Sequence, residues 1–312
     1  MQFKPNQVAF GRHESFALRF GWLTKGFQAF EESLKKGENI FSSDDAVVRL
    51  GVGKNMVNSI RHWLRATRLI QIDQDEKVTT PLGRFLFSEK NGKDPYLEDE
   101  ATIWLLHWLL ATNPDHATSW YWFFNLFHKP EFTSHEVTNA IVDFSKEKIT
   151  AKCSPTTVKN DCTVLLRSYV SSKGTTKAPI EEALDSPLSM LRLITYSSAA
   201  KSYQSRLERR DNLPLGIFGF AIAELFQHRD ISEIPIEELM YSKDGNVAPG
   251  LLFRLTENGL LVKLEQLVHY IPGVFRLDDT AGIHQLYRLQ EVDPLDYLEN
   301  HYNALLQQDK AA

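Results

Sequence analysis

Carboxylates beside imidazoles can hold a divalent metal or move a proton, and clustered guanidinium groups can grip an anion. Three stretches of this chain carry those residue types. His13 and Glu14, followed by Arg19, set an imidazole beside a carboxylate and are the candidate catalytic pair for binding metal or moving a proton. Glu14 can equally cap a helix starting at Ser15. Asp278 and Asp279, with His284 on the same expected hairpin, are the candidate metal ligands, although Asp278-Asp279-Thr280-Ala281-Gly282 also reads as an ordinary turn. Arg206, Arg209 and Arg210 can clamp phosphates bidentately or coat an exposed helix between Ser205 and Asp211. No standard nuclease motif is legible. The chain also lacks the phosphate-cradling Gly-x4-Gly-Lys-Ser/Thr loop, a dinucleotide fingerprint and a nucleophile elbow.

The clearest positioning element lies between Ser42 and Phe87. Ser42 or Ser43 can cap a helix from Asp44 to Leu50, and Gly51-Val52-Gly53 supplies a tight turn. A second helix follows over Lys54–Leu69. Its Met56, Val57, Ile60, Trp63, Leu64 and Leu69 recur at helical spacing, leaving Lys54, Asn55, Asn58, Arg61, His62 and Arg65 on other faces. Ile70-Gln71-Ile72 and Lys77-Val78-Thr79 read as two strands around the turn Asp73 to Glu76. The sequence predicts a winged helix-turn-helix, whose recognition helix contacts base edges while basic residues such as Lys77 fix register on phosphates. Winged helices also hold protein partners, so the fold alone does not fix the ligand.

Weaker copies of the pattern follow. Phe132 to Glu136 caps a helix through Phe144. Ser154-Pro155-Thr156-Thr157 opens another running to Tyr169, with Lys159 on an exposed face and a connector or long wing around Gly174 and Lys177. A third begins near Ile234, turns at Lys243 to Asn246, continues over Pro249 to Leu267, and ends in a hairpin and a last helix, Pro294 to Leu306. Ser15 to Phe30 is expected to be helix one of the first unit. Trp104, Trp108, Trp120 and Trp122 sit among leucines and phenylalanines at helical spacing. They read as core of a connecting bundle rather than as a base-stacking platform.

The expected fold is mainly α, with tandem winged helix-turn-helix-like units, short β-hairpin wings and a helical connecting segment. Its expected domains are 1–95, 96–215 and 216–312. Net charge is −5 over 312 residues, which opposes polyanion binding only if evenly spread. Residues 1–84 hold 13 Lys/Arg against 9 Asp/Glu, a net of +4, whereas residues 216–312 hold 7 against 15, a net of −8. The C-terminal part therefore suits a protein-facing or metal-facing role. Cys153 and Cys162 match no zinc knuckle and read as buried thiols in a reducing cytoplasm. No apolar run has the length of a membrane span or the character of a secretion signal.

The segment Phe10-Gly11-Arg12-His13-Glu14-Ser15-Phe16-Ala17-Leu18-Arg19-Phe20-Gly21-Trp22-Leu23-Thr24-Lys25-Gly26 resembles the opening motif of the SspB-type proteins of bacterial single-strand DNA phosphorothioation systems. Leu50-Gly51-Val52-Gly53-Lys54-Asn55-Met56-Val57, with Ile60, Arg61, Trp63 and Leu64, is similar to the same family. The resemblance implies a DNA-nicking protein that opens one strand so that sulfur can replace a non-bridging phosphate oxygen. It would require a divalent metal, Mg²⁺, and work beside a cysteine desulfurase and an ATP-dependent sulfur-transferring partner. Double-stranded DNA is the expected ligand, no membrane is expected, and a homodimer is left open. Two other readings stand beside it: a winged-helix transcription regulator without catalytic activity, and a protein–protein adaptor.

Overall fold

A computed structural model describes residues 1–73, 76–171, 186–243, 245–280 and 283–311. Helices dominate, and the sheets are small and antiparallel. The first helix, α1 (Trp22–Lys35), starts seven residues later than the Ser15 expected from its apolar spacing. The reason lies in the backbone. Glu14 and Ser15 adopt φ of 51° and 63°, and Gly21 stands at 77°, so the chain before Trp22 turns through left-handed conformations that a helix cannot contain. α1 then buries Trp22, Leu23, Phe27 and Phe30.

α2 (Ala46–Leu50) is shorter than expected, because Asp45 occupies its N-cap rather than its first turn. Gly51, at φ 60°, ends it in the left-handed conformation that glycine adopts without a Cβ clash. α3 (Lys54–Ala66) buries Val57, Ile60, Trp63 and Leu64. It stops before the expected Leu69, where Arg68 at φ 56° turns the chain. Gly26 brings α1 against α3: a Cβ there would lie 2.3 Å from Ile60 Cγ2. β1 (Ile70–Ile72) pairs antiparallel with β2 (Lys77–Thr79), Ile70 facing Thr79. Thr80 caps α4 (Pro81–Phe87) by accepting the Gly83 amide at 3.0 Å.

The Trp-rich stretch is core, as its leucine neighbours require. α5 (Glu100–Ala111) is buried on nearly every face, and Trp104, Trp108, Trp120 and Trp122 are all buried, the last two in α6 (Thr118–Leu126). β3 (Glu131–Phe132) precedes α7 (Ser134–Lys148), which opens on a capping box between Thr133 and Glu136 and runs one turn past Phe144. α8 (Pro155–Tyr169) has Ser154 accepting the Thr157 amide and Pro155 at its first position. β4 (Thr195–Ser197) and β5 (Ser202–Gln204) complete a sheet of order β3-β5-β4.

Beyond Gln204 the expected helix over Ser205–Asp211 is not formed. Glu208 instead bridges Leu255, its amide donating to the Arg254 carbonyl at 2.8 Å, and Arg210 takes φ 53°. α9 (Leu215–Arg229) is apolar and buried, followed by β6 (Glu233–Pro235) and α10 (Ile236–Met240). The expected single helix from Pro249 to Leu267 is two, α11 (Pro249–Leu252) and α12 (Glu257–Tyr270). Arg254 at φ 51° breaks it and Thr256 caps the second piece. β7 (Phe275–Thr280) and β8 (Ile283–Arg288) form the hairpin of a sheet ordered β6-β8-β7, and α13 (Pro294–Ala311) follows.

The chain divides into two compact units: Phe3–Phe123 with Lys129–Ser205, and Met1–Gln2 with Phe124–His128 and Arg206–Ala312. The expected connector around Gly174 and Lys177, the expected turn residue Asp244, Ala281-Gly282 of the expected hairpin turn, and Gln74 and Asp75 of the expected first wing lie outside the described residues. Among the described residues, no helix is long and apolar enough to cross a membrane.

Candidate nucleic-acid interface

The segment before α1 is held by one buried carboxylate. Asp161, in α8, accepts the Gly11 amide at 2.6 Å and His13 Nε2 at 2.7 Å on Oδ1, and the Ser119 hydroxyl on Oδ2. His13 and Asp161 are both buried. His13 Nδ1 accepts the Ser15 amide at 3.2 Å, which leaves its remaining ring proton on Nε2, directed at the carboxylate. Gly11 stands at φ 71°, and a Cβ there would lie 2.8 Å from Thr157 Cγ2, so the loop runs flush against α8. The His13 ring stacks on Trp63 of α3 at 6.1 Å, with Trp120 and His62 edge-on. The network therefore fixes the loop carrying the exposed Arg12 against the helix carrying His62 and Arg65.

α3 buries its apolar stripe and turns its polar one outward. Lys54 and Asn55 are exposed; Asn58, Arg61, His62 and Arg65 are half-buried. Lys54, Arg61 and Arg65 make no ion pair among the described residues. Burial holds His62 well below the ordinary imidazole value, and His13, His116, Arg65 and Arg12 add to that depression. Burial also lowers His116, with Arg65 contributing. The Arg65 guanidinium is lowered by burial while Asp73 acts the other way. These mutual effects place Arg12, Arg61, His62, Arg65 and His116 within one electrostatic neighbourhood. Asp73 and Asp115 share that neighbourhood and act the other way. Its guanidinium groups are the ones that could meet a polyanion's phosphates.

The remaining candidates fall elsewhere. Lys77 is exposed on β2 and Lys159 on α8. Glu14 is exposed in the loop beside His13, and its neighbour His13 is committed to Asp161 rather than open to solvent. Arg206, Arg209 and Arg210 belong to the second unit. Arg206 and Arg209 are exposed, with Arg209 paired to Asp211 at 3.0 Å, whereas Arg210 is buried and paired to Glu208 at 3.0 Å. Asp278 and Asp279 lie in β7 rather than in a turn, and Asp278 faces Arg276 at 3.3 Å. The Asp279 side chain lies outside the described part of the chain. A guanidinium beside Asp278 competes with a divalent cation, and no group of three or more His, Cys, Asp or Glu among the described residues could hold a metal ion. Both cysteines are free; Cys162 is buried, which pushes its thiol up to about 11, and Cys153 is half-buried rather than fully buried as expected.

Asp161, Ser119, Arg12 and His116 are absent from the residues that spacing nominates. Asp161 alone carried a legible signal, as the one acid within the buried stripe Val158, Cys162, Leu165 of α8. His116 sits in the loop after α5, where nothing in the sequence points toward α3.

The family described as protein of unknown function (DUF4007) matches residues 10–302. Two solved structures are similar to the chain. An SspB crystal structure shares 28% identity with a TM-score of 0.81, covering 95% of this chain and 88% of that one. A magnesium ion-bound SspB crystal structure shares 27% identity, with the same TM-score and coverage. No curated protein matches.

Proposed function

The chain belongs to the DUF4007 family of proteins of unknown function and has the SspB-type structure, and from this premise we propose that it is the DNA-contacting component of a phosphorothioation system. On this reading the succession α1, α2, α3, β1 and β2 is a winged helix-turn-helix, with α3 as the element that meets double-stranded DNA. α7 with α8, and α10 with α12, each followed by a strand pair, are further units of the same kind. The protein opens one DNA strand so that sulfur can replace a non-bridging phosphate oxygen. It acts in the cytoplasm beside a cysteine desulfurase and an ATP-dependent sulfur-transferring protein.

The observation that carries the reading is the outward face of α3. Lys54, Arg61 and Arg65 stand there without an ion pair among the described residues, with Arg12 close enough to act on Arg65. Cations without an ion pair are available to phosphate, and phosphate contacts release condensed counterions from DNA. Magnesium enters this reading through the similar magnesium ion-bound SspB structure.

Supercoiled plasmid incubated with the protein and Mg²⁺ tests the activity. Conversion to open circles that EDTA abolishes is the expected result. Salt-dependent DNA binding without conversion would support a transcription regulator instead, and no binding even at low salt would leave only the adaptor.

A further inference from the structure

We propose that the cavity between the C-terminal end of α3, the first hairpin and the loop after α5 binds an unpaired nucleobase carrying an exocyclic amino group. The inference rests on the DNA-binding reading above and names what else that surface recognises. The cavity measures about 380 Å³ and is lined by Arg65, Arg68, Asp73, Asn113, Asp115 and His116, with Ile70 and Ile72 as apolar wall.

Its lining has both signs of charge. A phosphate alone would meet the Asp73 and Asp115 carboxylates, and a bare cation would meet two guanidinium groups. A ligand with hydrogen-bond donors and acceptors on one flat edge suits both. Most of the polar groups are already engaged in building the walls. Asn113 Nδ2 donates to the Ala66 carbonyl at 2.9 Å, Arg68 Nη2 to Thr112 Oγ1 at 2.8 Å, and Gln71 Nε2 to Asp73 Oδ2 at 2.8 Å. Asp115 differs: neither carboxylate oxygen has a hydrogen-bond partner among the described residues, and Oδ1 is buried. A half-buried carboxylate without a donor is costly unless something supplies one, and an amino group entering the cavity can donate to its accessible oxygen. Within a pair the Watson–Crick edge is occupied and the base is held in the stack, so a base that enters the cavity edge-first must be unpaired. Arg65 belongs both to this cavity and to the outward cationic set, so a strand held at Arg61 and Arg65 has its bases beside the opening.

The test uses the full-length protein and duplexes with one bulged nucleotide, read by fluorescence anisotropy at fixed salt. Bulged adenine and cytosine should bind about tenfold tighter than bulged thymine, an abasic bulge, or purine without the 6-amino group, the scale of one hydrogen bond to a charged acceptor. Asp115→Ala should bring all bulges to parity relative to one another, with a melting curve to verify folding. The adenine and unsubstituted-purine pair probes the same contact in the unaltered protein. Equal affinity for every bulge, or a preference that survives Asp115→Ala, overturns the proposal while leaving duplex binding intact. Failure to bind intact duplex at low salt removes the parent reading instead. Displacement by free dAMP at the concentration of the bulged strand would make this a mononucleotide site and overturn the assignment to a strand.

Discussion

Nε2 of His13 lies 2.7 Å from Oδ1 of Asp161, 148 residues further along the chain. That one contact joins the loop before α1 to α8, and through the stacking of His13 on Trp63 it also reaches α3. Asp161 collects three donors, so its carboxylate is the hub on which the loop carrying Arg12 is hung.

Removing that hub should unfold the arrangement rather than reshape it. Asp161→Ala strands the buried His13 ring proton and Ser119 hydroxyl and the half-buried Gly11 amide. The expected loss is about 3 kcal/mol, given a cost of about 1–3 kcal/mol for each buried unsatisfied group. Urea denaturation measures it, and a midpoint equal to that of the unaltered protein would show that the network contributes nothing.

Gly26 tests whether close approach of α1 sets the position of α3. Gly26→Ala places a methyl 2.3 Å from Ile60 Cγ2 and 2.9 Å from Leu64 Cδ1, and overpacking of this kind costs about 1–3 kcal/mol. Gly53→Ala meets nothing within 4 Å and should change stability by less than about 0.5 kcal/mol. Equal melting temperatures for the two variants would contradict close packing of α1 on α3.

The depressed histidines give stability a definite pH dependence. His62, His116 and His128 are lowered from 6.5, chiefly by burial. In the unfolded chain they take up protons as pH falls through 6.5, while in the folded chain they do so only at lower pH. The unfolded state therefore binds more protons in that window, and stability must fall as pH falls below 6.5. DNA works in the opposite direction, since phosphate beside His62 and His116 favours their protonated forms. Affinity should rise over the same acidic range. Denaturation midpoints and anisotropy collected across that range check both signs; a flat stability profile, or affinity that weakens on acidification of the folded protein, would contradict the assignment.

The parts of this fold legible in the sequence are those with local causes. The Ser154 and Pro155 start of α8, the capping box of α7, the glycine end of α2 and the β1–β2 pairing all follow from residues within one or two turns of where they act. Late onset of α1 was hidden, because Glu14 and Ser15 are ordinary residues forced into left-handed backbone by the loop that Asp161 anchors. The Arg206 to Asp211 segment has helical spacing of its arginines, yet its backbone pairs with Leu255, a partner some 47 residues on from Glu208. At the candidate interface, the cations of α3 were readable from periodicity. Arg12 and His116 were not, since only tertiary folding brings them into the neighbourhood of His62.

The most direct test is the triple variant Lys54→Ala, Arg61→Ala, Arg65→Ala, titrated against one duplex over a series of salt concentrations. The expected result is a protein that melts as before, binds more weakly at low salt, and shows a log–log salt slope shallower by about 0.9 for each phosphate no longer neutralised. Unchanged affinity with an unchanged slope would mean that α3 does not face DNA.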